Sequence, residues 1–387
     1  MITWHIIYWL SLFLIVHSYL IYPWILQVLA TGKHENNTFF EEHELPHVTI
    51  LMSLFNEERS IAKKLDSIFD SDYPPEKVKI IVGSDASTDE TNHILKSYEK
   101  KHPGMTAIIF NDRQGKPGVI NKLVEQTTTE LILMTDAKVV FHKNTIRHLV
   151  RHFKDDRIGV VGGNIINEHV VRNGVSIQET AFMSREILMK YREGLIWGAT
   201  MGVYGAVYAI RKSLYKPVPQ GFAVDDFFIT FQVLRQKKRA LLDIHVITYE
   251  DVPNLIAEEY RRKVRIATGN YRNMLYFFRE LTTPWRGASF AYISHKAIRW
   301  LGPFIIMLYV LSNIFLYNTH YFYDCALLTT GIVLALPIID FFLSKIGIHI
   351  VFLRFVRHFI TMNVALLHGF INNLGGIKKD VWEPTNR

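Results

Sequence analysis

The hydrophobic pattern splits the chain into apolar ends and an alternating middle. Residues 4–30 (WHIIYWLSLFLIVHSYLIYPWILQVLA) form one apolar run, long enough for a helix that crosses a bilayer. Pro23 lies inside it and predicts a kink. A cleaved leader ending at Val28-Leu29-Ala30 is the competing reading. The length of the run and the missing basic start favour a retained anchor. From His47 the period changes. Short apolar runs at 48–54, 79–85, 106–111 and 131–137 alternate with amphipathic segments over Ser60–Phe69, over Thr91–Lys101 and from Val119 onward. This alternation predicts an α/β fold, a parallel sheet with helices on both faces. Residues 158–168 and 203–210 read as further strands around a helical region, Arg172–Gly194. A helix follows from Asp225-Asp226, then a strand-like run, ALLDIHVITYED.

Beyond the sheet the pattern turns amphipathic. On a helix over 258–280, Arg261, Arg265, Arg272 and Arg279 fall within roughly 40° of one another, at about 100° per residue. Tyr260, Val264, Ala267, Tyr271, Met274 and Phe278 collect on another side, as in a helix lying at a membrane interface. Two spans are expected next, Ala297–Tyr317 and Tyr323–Leu343. Over 349–373, Arg354, Arg357, His358, Thr361, His368 and Asn372 align on one face. A lipid-facing span would not carry that stripe, so this segment lies in the interface or lines a polar path between helices.

Charge follows the same division. Residues 1–32 hold no Asp, Glu, Lys or Arg, and residues 300–343 hold only Asp324 and Asp340. Lys33, Arg286, Lys296, Arg299 and Lys345 flank the spans, so the positive-inside bias places the middle domain in the cytosol and the N-terminus outside. The tail with Lys378-Lys379 is then cytosolic if 349–373 stays interfacial. The net charge of +8 suits anionic headgroups or nucleotide substrates, and no recognition motif for nucleic acid accompanies it. One cysteine, Cys325, excludes a disulfide framework and a cysteine-based metal site.

Ligands of such sheets bind beyond the carboxyl ends of the strands. Three of those ends finish in polar clusters: Asn56-Glu57-Glu58, Ser84-Asp85-Ala86-Ser87-Thr88-Asp89 and Thr135-Asp136-Ala137-Lys138. One such acid alone is as well read as a helix cap. Arg113-Gln114-Gly115-Lys116-Pro117-Gly118 opens a helix in a way that can hold a phosphate, though it is no P-loop. Gly202 and Gly205 permit a close backbone approach or simply a tight turn. Asp225-Asp226, followed by the basic helix, suits a reaction in which a carboxylate takes a proton while cations hold a departing phosphate. The plainer reading is an acid pair favoured by a helix dipole, plus a solvated basic face.

Taken in this order, FNEE (55–58), SDASTDET (84–91), RQGK (113–116), TDAK (135–138), VDDFF (224–228), RKVRI (262–266) and the tail VWEPTNR (381–387) resemble membrane-integrated family 2 glycosyltransferases. Bacterial hyaluronan, cellulose and poly-N-acetylglucosamine synthases are the nearest in kind. The resemblance covers residues 45–387 and implies a GT-A (Rossmann-like) cytosolic domain with N- and C-terminal transmembrane helices. It implies an anchor over 1–32, a catalytic domain over 45–257, amphipathic interface helices over 258–295, two spans over 296–345, and an amphipathic segment with a cytosolic tail over 346–387. It implies an inverting enzyme of the bacterial inner membrane, multi-pass, moving a sugar from a UDP-sugar onto a growing polysaccharide. Single-sugar transfer to a polyprenyl-phosphate or other lipid-linked acceptor is the alternative, and a binding subunit without turnover is a third reading.

By the same resemblance Asp226 is the general base and Asp225 its neighbour. Glu57, Asp85 and Lys116 belong to the nucleotide site, Asp136 binds Mg2+ or Mn2+ and the nucleotide, and Arg262 and Arg265 neutralise the leaving diphosphate. Lys138 stands where the DxD motif has its second acid, so Asp136 binds the cation with help from elsewhere, or Lys138 replaces part of its charge. Ile266 stands where the interface motif has a tryptophan, which favours the lipid-linked acceptor.

Overall fold

The computed structural model describes residues 1–34, 39–168, 176–251, 256–282 and 286–375. The segment VWEPTNR, Lys378-Lys379 and the start of the helical region at Arg172 lie outside these residues. The chain forms two compact units, an α/β unit from residues 30–169 and 184–252 and a helical unit from residues 1–29, 170–183 and 253–376.

In the α/β unit, eight strands form one sheet: β1 (Val48–Leu54), β2 (Val78–Asp85), β3 (Met105–Phe110), β4 (Leu131–Thr135), β5 (Val140–Phe141), β6 (Ile158–Glu168), β7 (Val207–Arg211) and β8 (Arg239–Asp251). Their order is β3-β2-β1-β4-β7-β6-β8-β5. Strands β1, β2, β3 and β4 are mutually parallel, as are β6 and β8. The sheet is nevertheless mixed, which corrects the parallel expectation: β7 runs antiparallel to β4 and β6, and β5 to β8. Periodicity records which residues are buried, and β7 is buried throughout its length. Direction depends on where the chain re-enters the sheet, which a short apolar run does not encode.

Helices α2 (Ile61–Phe69), α3 (Thr91–Lys101), α4 (Gly115–Gln126), α5 (Thr145–Arg151), α6 (Ser176–Trp197) and α7 (Asp225–Arg235) complete the series, with α6 beginning in the helical unit. One core gathers Ile50 and Met52 of β1, Ile61 and Leu65 of α2, Val82 of β2, Leu133 of β4 and Ile146 of α5. Helix α4 starts four residues ahead of Val119, the first residue of its apolar pattern. Pro117 is tolerated there because a first turn needs no amide donor. Strand β7 starts at Val207, because Gly202 holds φ +84° in the turn before it.

The helical unit contains α1 (Ile2–Ala30), α8 (Ile256–Tyr276), α9 (Gly287–Trp300), α10 (Gly302–Phe315), α11 (Tyr321–Lys345) and α12 (Val351–Leu374). Helix α1 takes a π turn over His17–Ile21 just ahead of Pro23. A proline lacks its amide donor and crowds the carbonyl four residues back, and a wider turn absorbs both. Helices α1 and α11 are each long and apolar enough to cross a membrane. The expected span 297–317 is instead a pair, α9 and α10, bent by 66° where Gly302-Pro303 restarts the helix.

The polar stripe of α12 faces protein. His358 Nε2 lies 3.8 Å from Glu179 Oε2, Arg357 donates to Asp340 of α11 at 3.1 Å, and His368 Nδ1 sits 3.2 Å from the Tyr260 hydroxyl. Gly369 lets α12 close on α8, since a Cβ there would stand 2.4 Å from the Ala267 methyl. The rest of α12 exposes Phe352, Val364, Ile371 and Leu374.

Candidate active site

Because β1, β2 and β4 are parallel, their carboxyl ends open on one edge. The loops after β1 and β2 are laced together there. Asn56, at φ +52°, accepts from the Thr88 amide at 2.8 Å and donates its own amide to Ser87 Oγ at 3.1 Å. The Glu57 amide donates to Thr91 Oγ1, and the Glu58 amide to Asp89. Asp89 also accepts from the Thr91 amide at the start of α3, so this acid is structural.

Asp85 is 2% exposed. Its carboxylate accepts from the Gln114 amide at 2.6 Å, the Gly115 amide at 3.0 Å and Arg113 Nε at 3.1 Å. Gly115 holds φ +73°, which turns its amide onto that carboxylate. The Arg113 guanidinium also stacks 3.3 Å over Phe55. Asp85 therefore anchors the beginning of α4, and the next residue along is Lys116.

Lys116 reaches across the edge to donate to Asp136 Oδ1 at 2.9 Å, and lies 3.5 Å from Asp225 Oδ1. Asp226 accepts from the Gly205 amide at 2.8 Å and, at its other oxygen, from the Phe227 amide at 2.7 Å. Three of these side chains meet at Gly205, and Asp225 joins them through Lys116. A Cβ there would stand 3.4 Å from Lys116 Nζ, 3.6 Å from Asp226 Oδ2 and 3.7 Å from Asp136 Oδ2. With no side chain of its own, Gly205 leaves open the space that these groups border.

The electrostatics divide the four groups. Burial and the adjacent Asp225 carboxylate push Asp226 up to about 6, against the pull of Lys190, Lys116 and the Phe227 amide. Burial alone would lower Lys116, but Asp136 and Asp225 outweigh it and raise the ammonium above the ordinary lysine value. The result is one carboxylate poised near neutral pH beside a fixed cation.

Two lysines of this edge carry no sequence motif. Lys190 of α6 packs 3.4 Å over the Tyr204 ring, and only tertiary structure brings its charge to Asp226. Lys64 of α2 is fully buried, donates to Thr135 Oγ1 at 2.8 Å and sits 3.5 Å over Phe141. Burial holds it well below the ordinary lysine value, with the charge of Asp136 opposing. A signal for Lys64 did exist: it occupies a helical position in register with Ile61, Leu65 and Ile68, where an apolar side chain is the rule.

Of the expected site residues, Lys116, Asp136, Asp225 and Asp226 converge, and Asp85 joins them through the start of α4. Glu57 is buried at the same edge, accepts from Ser60 Oγ at 2.5 Å and lies 3.9 Å from Lys138. Arg262 and Arg265 belong to the helical unit. Arg262 there donates to Glu179 at 2.8 Å and Glu259 at 2.9 Å, and Lys263 binds the same two acids. Burial would raise Glu259, but Lys263 and Arg262 draw it down to about 2.

Among the described residues no three His, Cys, Asp or Glu side chains stand close enough to hold a metal by themselves. Asp136 offers one carboxylate, 44% exposed, with a single oxygen taken by Lys116. Mg2+ and Mn2+ are commonly held by one or two carboxylates together with substrate phosphates, and this donor fits that mode.

Known proteins agree with the fold. Residues 49–217 match the model of glycosyl transferase family 2. The chain is 26% identical over 245 residues to the poly-beta-1,6-N-acetyl-D-glucosamine synthase of Staphylococcus epidermidis, covering 61% of this chain and 57% of that one. It is 25% identical over 281 residues to a beta-monoglucosyldiacylglycerol synthase from a Nostoc species, covering 70% and 58%. The match thus spans little more than half the length of these two relatives. Among solved structures, the mannosyltransferase PcManGT from Pyrobaculum calidifontis, in complex with GDP-Man and Mn2+, superposes with a TM-score of 0.71 at 20% identity, over 95% of this chain and 99% of that one. Residues 49–217 thus match a glycosyl transferase family 2 domain, carried on a GT-A-like α/β fold.

Proposed function

We propose that the protein is an inverting glycosyltransferase that moves a sugar from a UDP-sugar to a growing polysaccharide at the cytosolic face of the bacterial inner membrane. One observation carries this reading: Asp136, Asp226 and Lys116 meet at the edge of the sheet around the bare backbone of Gly205, with Asp225 beside Lys116. Sugar transfer needs a deprotonated acceptor hydroxyl, a stabilised diphosphate and in-line geometry. Asp226 takes the proton of the acceptor hydroxyl. The freed oxygen attacks the anomeric carbon from the face opposite the diphosphate, and the bond from that carbon to the phosphate oxygen breaks. The bonding pair leaves with the UDP, and the configuration inverts. Lys116 holds the negative charge of the diphosphate, Asp85 keeps α4 in place, and Glu57 sets Lys138 at the rim. Mg2+ or Mn2+ held by Asp136 would supply further positive charge to the phosphates. The proposed limits are 1–32 for the anchor, 45–257 for the catalytic domain, 258–295 for the interface helices, 296–345 for the spans and 346–387 for the last segment and tail.

A second reading has its own support. Ile266 replaces the aromatic residue of the interface motif, and the Nostoc relative is named for a lipid product. On that reading the acceptor is a polyprenyl phosphate or another lipid. Incubating the detergent-solubilised protein with a panel of nucleotide sugars and membrane extract, with UDP release and product size as readouts, tests both. A ladder of long products supports the polysaccharide, and a single organic-extractable product supports the lipid. Asp226→Asn should cut turnover by roughly 10²–10⁴-fold while donor binding stays near normal. Near-normal turnover in that variant would overturn the assignment of the base.

A further inference from the structure

Helices α8 and α12 leave a cavity of about 540 Å³ between them, lined by Ile256, Ala257, Tyr260, Arg261, Arg357 and Thr361. It lies wholly within the helical unit and shares no residue with the sheet-edge site. Two guanidinium groups, a phenol and a hydroxyl line a space otherwise bounded by aliphatic side chains. That is the composition of a pocket for one phosphate on a greasy stem.

The two arginines are set differently. Arg357 is oriented by Asp340, which is itself 1% exposed, and the contact uses one guanidinium nitrogen at 3.1 Å. Arg261 is exposed and makes no ion pair among the described residues. Its neighbours Arg262 and Lys263 are committed to Glu179 and Glu259, so the acids buried beside this helix are already compensated. Among the described residues the cavity therefore keeps one cation without an ion pair.

Helix α12 also packs against α11, one of the two helices fit to cross a membrane. A basic pocket in such surroundings fits the phosphate of an anionic headgroup.

We infer that this cavity binds the phosphate headgroup of an anionic membrane phospholipid, held by Arg261 and Arg357. The site is separate from the proposed transfer reaction and is read without it. The test is native mass spectrometry of the full-length protein in detergent, titrated with phosphatidylglycerol or phosphatidylcholine. One phosphatidylglycerol should be retained about tenfold more tightly than phosphatidylcholine, and Arg261→Gln should abolish that preference. Arg272→Gln, elsewhere on the same helix, should leave it intact. Because Arg357→Gln alone would strand Asp340, the paired Arg357→Gln, Asp340→Asn variant is used, and it too should lose the preference. Equal retention of both lipids overturns the inference, as does a preference that survives Arg261→Gln. Equal loss in Arg272→Gln would mean diffuse attraction to basic surface. Displacement of the lipid by millimolar inorganic phosphate would mean a site for a free anion, and either result also overturns it.

Discussion

As the proposed general base, Asp226 has to meet two opposing requirements. A general base must be ionised at working pH yet hold a proton firmly enough to take one. Burial and Asp225 raise it to about 6, and the lysines around it stop the rise there. The rate on kcat/KM should therefore fall on the acid side with an apparent pKa of about 6, and a profile flat from pH 5 to 8 would disconnect Asp226 from the reaction. The same shift has a consequence for stability. A carboxyl raised in the folded state above its ordinary value of 3.8 is tolerated when protonated and resisted when ionised. Folding therefore carries no penalty below pH 3.8 and the full penalty above about pH 6. Asp226→Asn should melt higher than the parent at pH 8, by at most about 3 kcal/mol, and level with it near pH 4. Thermal unfolding at the two pH values checks this. Lys116 is proposed to hold the donor: Lys116→Gln should raise the KM for the sugar nucleotide roughly ten- to hundredfold, the ~1.5–3 kcal/mol of a hydrogen bond to a charged group. An unchanged KM would remove it from the donor site. The adjacent acids and the glycine-lysine turn were legible in the sequence because each is a local motif. Lys190 was not, since nothing near it in the chain marks it.

The element on which the site turns is α4, which carries Lys116 and is located by contacts with β2. Asp85, at the end of that strand, receives the first amides of the helix. Gly83, two residues earlier, leaves room for its side: a Cβ there would fall 2.4 Å from Val119 Cγ1 and 3.2 Å from Phe110 Cε2. Gly83→Ala should destabilise the α/β unit by roughly 1–3 kcal/mol and raise the donor KM as α4 is displaced. Thermal unfolding with steady-state kinetics checks both, and a variant unchanged in both would show that the helix has slack. The apolar run from Val119 predicted α4 but not its beginning, because the first turn is held by a carboxylate from another strand rather than by its own periodicity. Strand β7 differs in the same way. Its burial was readable and its direction was not.

Across the chain, charge and greasiness are sorted by segment, and this sorting makes a topology with an experimental handle. Cys325, the single cysteine, is exposed one turn into α11, at the end opposite Lys345. On the proposed orientation, with the basic flanks cytosolic, Cys325 is expected at the outer face. A membrane-impermeant maleimide should label it in intact spheroplasts, and labelling only after lysis would invert the orientation. The bend at Leu301 shows where hydropathy alone misleads: an apolar run long enough to span does not reveal that Gly302-Pro303 divides it.

Order along the chain was enough to settle the alternation of strands and helices, the apolar ends and the nature of the acidic strand ends, since all of these are written in neighbouring residues. Which of those acids share one space was decided by strand order. Lys116, Asp136 and Asp226 are remote in the chain and meet because β4 lies beside β1 while β7, entering in reverse, brings Gly205 between them. The placement of Arg262 against Glu179 was likewise out of reach, because pairing a buried charge depends on which distant side chain is buried beside it.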